Sequence, residues 1–318
     1  MVRLVGTAAL LLSAGLVAPA TVDPGAPRSE SAVMARLAPQ SLLLDVARSG
    51  DRLLAVGERG HILVSSDGGQ SWTQAKVPTR ALLTGVYLHD NQLGWAVGHD
   101  SVILRTRDGG VSWQRVHHAP ENERPLLDVW FKDAERGLAT SAYGELLATR
   151  DGGDSWQPRA VRDGDDFHLN QLAAAADGTL YLAGEAGHLY RSEDGGETWA
   201  PLPSPYAGSF FGLLPLAEGP VLAFGLRGRL FASADRGKTW TRIETASEAT
   251  LLCGLQIGPG RYVLAGMEGT LVWGEGVAGP VRTEQRPDRQ AIVALAPGAG
   301  PGLLLFGEGG VSRLELPR

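Results

Sequence analysis

The sequence predicts an all-β fold: a seven-bladed β-propeller of four-stranded antiparallel blades, closed by an N-terminal strand. Three observations carry this expectation. An octapeptide recurs five times, as SSDGGQSW (65–72), TRDGGVSW (106–113), TRDGGDSW (149–156), SEDGGETW (192–199) and SADRGKTW (233–240). A glycine-bounded turn recurs seven times, as GERGHIL at 57, GHDSVIL at 98, SAYGELL at 141, GEAGHLY at 184, GLRGRLF at 225, GMEGTLV at 266 and GEGGVSR at 307, always 41 to 43 residues apart. No stretch has the length and 3.6-residue apolar period of a substantial helix.

Each unit reads as four short strands. In the first, LLLDVA, RLLAVG, HILVSS and SWTQAKV are apolar or alternating runs separated by SGD, ERG and DGGQ, all turn-forming chemistry. Four strands in some forty residues, repeated seven times, is the sequence mark of a propeller. The last unit supplies AIVALAP, GLLLFGE and VSRLELP and then runs out one strand short, so AVMARLA (32–38) is expected to complete it and leave no open edge.

The chain divides into 1–20, 21–31 and 32–318. Arg3, the apolar run Leu4 to Val17 and the small-residue site Ala18-Pro19-Ala20 read as a secretory signal. Thr21 to Ser31, rich in Pro, Gly and Ser, reads as a tether, and the remainder as the propeller. The expected address is therefore periplasmic or secreted, with no direct membrane insertion once the leader is cut.

Composition narrows the functional classes. Among 318 residues, 43% are hydrophobic and 43 are glycine, which fits many tight turns in a packed chain rather than a solvated coil. The net charge of −6 argues against nucleic acid, whose backbone demands a basic footprint. Cys253 stands alone in ATLLCGLQ, so there is no disulfide framework, and it reads as a small buried residue. His117 and His118 are adjacent and so point opposite ways in an extended chain. With no HxH or HExxH spacing in the sequence, neither metal nor cofactor is expected.

The octapeptide spans the hairpin from the third to the fourth strand. Its glycines permit the positive φ of a tight turn, and Asp67, Asp108, Asp151, Asp194 and Asp235 accept hydrogen bonds from the amides the turn exposes. Trp72, Trp113, Trp156, Trp199 and Trp240 are expected to anchor one blade against another, each with an indole N–H needing a partner. In the fifth copy Arg236 must adopt the backbone angles of the glycine it replaces.

The pattern S/T-x-D-x-G-x-S/T-W resembles the Asp-box, or BNR repeat, of sialidases, glycan-cleaving and glycan-binding propellers, sortilin-type receptors and photosystem II assembly factors. Regular spacing, the DGG form and the GxxG turn resemble most the photosystem II assembly and stability factor family and its bacterial relatives. The resemblance implies a non-catalytic scaffold that binds a membrane protein or membrane complex through an arginine-rich patch.

The alternative is a sialidase-like glycoside hydrolase or a glycan-binding lectin. Sialidases carry a short F/Y-R-I-P motif, and the nearest counterpart here, ARLAP (35–39), lacks the aromatic residue. Asp45 and Asp128 occupy equivalent innermost positions, the spacing problem of a carboxylate pair, and read more simply as lining a solvated channel.

Function is expected on the face that gathers the GxxG turns and the blade-to-blade links, because links vary and boxes do not. Arg59, Arg80, Arg124, Arg227, Arg229 and Arg289 are the expected contacts to a protein partner, with Phe167, Tyr206, Phe210 and Phe211 as aromatic anchors. The acidic insertions ENE at 121 and DGDD at 163 interrupt any simple basic field. The protein is expected to be a monomer.

Overall fold

The computed structural model describes residues 30–162, 164 and 166–316. The expected signal, 1–20, and nearly all of the expected tether lie outside the described residues. Seven antiparallel sheets follow one another in chain order, and among the described residues the only helical elements are three-residue 3-10 turns. The chain is a seven-bladed β-propeller.

Blade 1 shows how a unit is built. Its strands Leu43–Ser49, Arg52–Gly57, Ile62–Ser65 and Thr73–Gln74 pair in sequence order from the axis outward. The second strand is buried almost throughout, because both of its faces meet neighbouring blades, and the same holds for Gly94–Gly98, Gly137–Ser141, Leu180–Gly184 and Val221–Gly225. Such strands read as unbroken apolar runs rather than as alternation.

Blade 7 differs from expectation. It has three strands, Ile292–Pro297, Gly302–Gly307 and Gly310–Glu315, and no fourth among the described residues. The segment 32–38 does not complete it. Instead the chain there lies along the outer edge of blade 1, where Ala32 N donates to Val77 O and the Gln74 side chain bridges Ala35 N and Val33 O. The physical reason is local: Gln74 offers a donor and an acceptor to this backbone at the outer edge of blade 1.

The ring still closes, by face packing. Leu43, Leu53, Ala55 and Leu63 of blade 1 share a core with Ala294, Ala296, Leu304 and Phe306 of blade 7, and Trp72 meets Phe306 edge-on at 5.7 Å. The same relation recurs around the ring. Trp113 packs on Leu54 and Val56 of blade 1, Trp156 on Trp95 of blade 2, Trp199 on Leu138 of blade 3 and Trp240 on Tyr181 of blade 4. Each box therefore seats its blade on the one before. Trp113 donates to Gly110 O at 3.0 Å, whereas the buried indole N–H groups of Trp72, Trp156, Trp199 and Trp240 have no partner among the described residues.

Within a box the aspartate closes the turn on itself. Asp151 Oδ1 accepts from Thr149 Oγ1 at 2.8 Å and from Ser155 N at 2.9 Å, while Oδ2 accepts from Ser155 Oγ at 2.6 Å. Thr149 Oγ1 in turn accepts from Gly153 N at 2.9 Å. The remaining four boxes repeat this hydroxyl contact, through Ser71, Ser112, Thr198 and Thr239, at 2.5 to 2.7 Å. The hydroxyl and amide donors hold Asp151 and Asp235 down to about 2. Arg236 adopts φ +62°, close to the +68° to +79° of the four glycines it replaces.

The second glycine of the box decides the packing. Gly196 has φ +89°, and a Cβ there would lie 2.3 Å from Leu138 Cδ1 of blade 3. Gly178 has a similar φ of +84° but faces open space. Gly196→Ala is expected to cost about 3 kcal/mol through the clash plus the left-handed backbone. Gly178→Ala should cost only about 1 kcal/mol, from the backbone alone. Chemical denaturation of both variants measures the difference, and equal losses would mean that close approach between blades is not what the glycine serves.

Candidate functional site

Two places concentrate unusual chemistry: the axis and the rim that carries the GxxG turns. At the axis, the innermost strands leave backbone groups that neighbouring blades must satisfy. Asp45 Oδ1 accepts from its own Val46 N and Oδ2 from Val86 N of blade 2, both at 2.8 Å. Asp128 does the same for Val129 N at 2.7 Å and Leu172 N of blade 4 at 2.9 Å. Gln171 Oε1 serves Leu213 N at 2.7 Å, Thr84 Oγ1 donates to Leu126 O at 2.6 Å and Asn170 Nδ2 to Phe210 O at 2.8 Å. These side chains are latches between innermost strands, so the two aspartates are engaged rather than simply lining a solvated channel.

Their electrostatics follow from the position. Burial raises both carboxyls, and the charge of Asp128 adds to the effect at Asp45, which reaches about 8 while Asp128 reaches about 6. Burial also pushes the Cys253 thiol far up, and its sulfur lies 3.8 Å from Ala265 O and Ile292 O. A thiol in that state is packing material rather than a nucleophile.

The rim is built differently. In six blades the turn after the second strand holds a non-glycine residue in the left-handed region: Arg59, Asp100, Tyr143, Ala186, Arg227 and Glu268, with φ between +51° and +61°. Such a conformation costs about 1 kcal/mol per residue. It recurs here because the neighbouring glycine must pass under the next link: a Cβ on Gly60 would lie 2.1 Å from Thr79 O, and one on Gly228 2.1 Å from Ser247 O. The result is one projecting side chain in each of six blades on a shared face, arginine in blades 1 and 5 and a different residue in each of the others.

The six expected arginines all stand on this rim, but the ring spreads them out. Arg59 lies 3.8 Å from Glu58, Arg124 3.1 Å from Glu145 and Arg289 3.8 Å from Glu268, each compensated by an acid of its own turn or the adjacent one. Arg80 is exposed. Only Arg227 and Arg229 share a depression, of about 460 Å³, whose wall continues through Arg242, Thr245 and Ser247. Arg227 makes no ion pair among the described residues, and the Arg229 guanidinium sits 6.0 Å from the centre of the Tyr206 ring.

The aromatic expectations divide. Tyr206 is half-buried beside Arg229, and Phe167 stacks on His188 at 4.0 Å. Phe210 is wholly buried, packed against Phe231 at 6.0 Å, and so cannot serve as an interface anchor. Phe210 packs into the core shared with blade 4, whereas Phe211, at the bulge between Phe210 and Gly212, is half-buried. A second depression, of about 280 Å³, brings Arg124 together with Tyr143, Arg159 and Arg162. Arg159 lies in an outermost strand and is paired with Glu197 at 2.7 Å. Sequence reasoning passed over it because nothing in an outer strand marks one side chain as facing a neighbouring turn. Among the described residues no group of three or more His, Cys, Asp or Glu could hold a metal ion.

Comparison with known proteins adds a family to this geometry. The model of the photosynthesis system II assembly factor YCF48 matches residues 27–121 and 118–207. The chloroplastic photosystem II stability/assembly factor HCF136 of Cyanidioschyzon merolae is 32% identical over 101 residues, which is 31% of this chain and 22% of that relative's length. A solved structure titled YCF48 bound to D1 peptide superposes with a TM-score of 0.73 at 17% identity, over 91% of this chain and 97% of that one. An ancestral GH74 enzyme shares the fold at TM-score 0.68 and 12% identity, over 87% of this chain and 45% of that one.

The axial carboxyls give the protein a measurable pH signature. A carboxyl whose native pKa stands above its unfolded value of about 3.9 contributes stability below that value and loses it as pH rises through the native pKa. Heat unfolding should therefore show a component of stability that declines from about pH 4 to about pH 8. Asp128→Asn removes the like charge facing Asp45 and should flatten that decline, whatever constant offset the substitution adds. An unchanged slope between wild type and variant would show that Asp128 contributes neither a raised carboxyl of its own nor a charge felt at Asp45.

Proposed function

The chain belongs to the photosynthesis system II assembly factor YCF48 family, and from that premise we propose that it is an exported, non-catalytic accessory that holds a segment of a membrane protein on its GxxG rim during assembly of a membrane complex. The observation that carries this reading is the inequality of the two faces. On the box face the aspartates are consumed by their own turns. On the rim, costly left-handed residues present side chains of five types in six blades, and strain of that kind tends to gather where a surface is used.

The blade 5 depression is the proposed anchor. Arg227 is exposed and makes no ion pair among the described residues, and Arg229 is held over Tyr206, so an extended segment bearing a carboxylate would meet one free cation and one preorganised cation. That a family structure is titled as a complex with the D1 peptide supports a peptide as the class of ligand. The latching of Asp45 and Asp128 to backbone amides supports binding over hydrolysis, since both carboxylates are occupied in holding blades together.

Affinity capture from gently solubilised membranes should retain one defined membrane protein. Arg227→Ala together with Arg229→Ala should weaken that capture, and the binding of a carboxylate-bearing peptide from it, by about tenfold or more. The melting temperature should stay within about 2 °C of wild type, because both side chains stand at the rim. Retention of full affinity by the double variant would remove the blade 5 anchor, and turnover of generic glycoside substrates would remove the non-catalytic reading.

A further inference from the structure

The last strand of the last blade, Gly310–Glu315, has a partner on one side only. Its pairing registers Gly307 with Gly310, Leu305 with Ser312 and Leu303 with Leu314, and Leu316 N continues that series by donating to Pro301 O. Alternation then turns the N–H and C=O groups of Ser312 and Leu314 inward and those of Val311, Arg313 and Glu315 outward. No hydrogen bond engages the outward groups among the described residues. Beside this edge lies a depression of about 400 Å³ whose wall includes Pro301, Leu303, Leu304, Leu314 and Leu316.

We propose that this edge is the interface of a two-fold dimer, in which residues 312–316 of two copies pair antiparallel about Leu314. The sequence Arg313-Leu314-Glu315 is complementary to itself under that symmetry. With Leu314 opposite the second copy's Leu314, each Arg313 stands opposite a Glu315 and each Glu315 opposite an Arg313. Both charged residues are those whose backbone groups point outward, so the two pairs form four ladder hydrogen bonds and two charge pairs at once. Leu314 then falls in the closely spaced position between them, where side chains across the dyad approach most nearly, next to the apolar depression. An isologous contact of this kind is what a two-fold axis requires. Both charged side chains are exposed and available: Glu315 makes no ion pair among the described residues, and Arg313 spends one N–H on Gly69 O of blade 1, at 2.7 Å, with four left.

A second copy fits the edge better than the start of this chain. Residues 30–35 already run along the outer edge of blade 1, with Glu30 reaching Arg115 of blade 2 at 2.8 Å, away from blade 7. The residues between the expected cleavage site and Ser31 include Pro24 and Pro27, which lack the N–H a ladder needs. This inference does not rest on the proposed peptide site, which lies on the rim of blade 5.

Sedimentation equilibrium of the full chain over a wide concentration range should show a reversible monomer–dimer equilibrium. Glu315→Arg places like charges opposite each other and should weaken association by about tenfold or more. The double exchange Arg313→Glu with Glu315→Arg restores complementarity and should recover association, an effect that general damage to the blade would not produce. Thermal unfolding confirms that the variants are folded. A monomer at every concentration, as would follow if another segment covers the edge, overturns the proposal, as does an association indifferent to Glu315→Arg or not rescued by the exchange.

Discussion

The structure depends on one contact made again and again: the second glycine of a box laid against an apolar side chain of the preceding blade. Gly69 meets Leu304, Gly110 meets Leu54 and Gly196 meets Leu138, in each case closer than any Cβ could stand. The positive φ that brings the backbone there also exposes amides, and the aspartate exists to satisfy them. Fixing the turn in turn aims the tryptophan at the same neighbour. The five elements of the box are thus one device, in which the carboxylate solves a problem created by the glycines and the tryptophan collects the burial. Blade 6 lacks a box, and there Val277 and Val281 pack toward Leu216 and Leu222 of blade 5 in place of the tryptophan.

Closure of the ring follows from the same device. A propeller whose last blade borrowed a strand from the other terminus would be locked by hydrogen bonds, but here blade 7 has only its own three strands among the described residues. Blade 1 brings its box to blade 7 as any blade would, through Trp72 on Phe306 and Gly69 on Leu304. Arg313 adds a donor to the carbonyl of Gly69, the second glycine of its box, where Arg105 of blade 2 and Arg191 of blade 4 donate to the first turn position of the next box, Gly152 and Arg236. The junction between blades 7 and 1 is therefore made by the same kinds of contact as the other junctions of the ring.

What the sequence shows clearly is whatever repeats. The period, the hairpin that carries each box and the role of Asp151 or Asp235 are visible because one physical requirement is written five times, and even the left-handed angle at Arg236 follows from the glycine it replaces. What stays hidden is whatever depends on one position in the ring. The fate of 32–38 turned on the single side chain of Gln74, and the burial of Phe210 beside a half-exposed Phe211 turned on the phase of one strand. The axial latches were half visible: Asp45, Asp128 and Gln171 stand at equivalent positions, but only coordinates show each reaching the amide of the next blade.

The spread of the arginines around the rim bears on how such a surface recognises anything. A contiguous basic patch would bind any acidic chain, with an affinity set by salt. Here Arg59, Arg124 and Arg289 each stand near a carboxylate of their own or the adjacent turn, and the uncompensated Arg227 shares its basin with Glu244 and Glu248. Isolated cations among acids reward a ligand only when its own charges fall at the right places. The left-handed turns of six blades, each carrying one side chain, fix those places to the spacing of the blades. On the proposed reading, specificity on this face is a matter of geometry inherited from the repeat, and the close approach of glycines such as Gly60 and Gly228 to the next link is what holds that geometry against the cost of the left-handed turns.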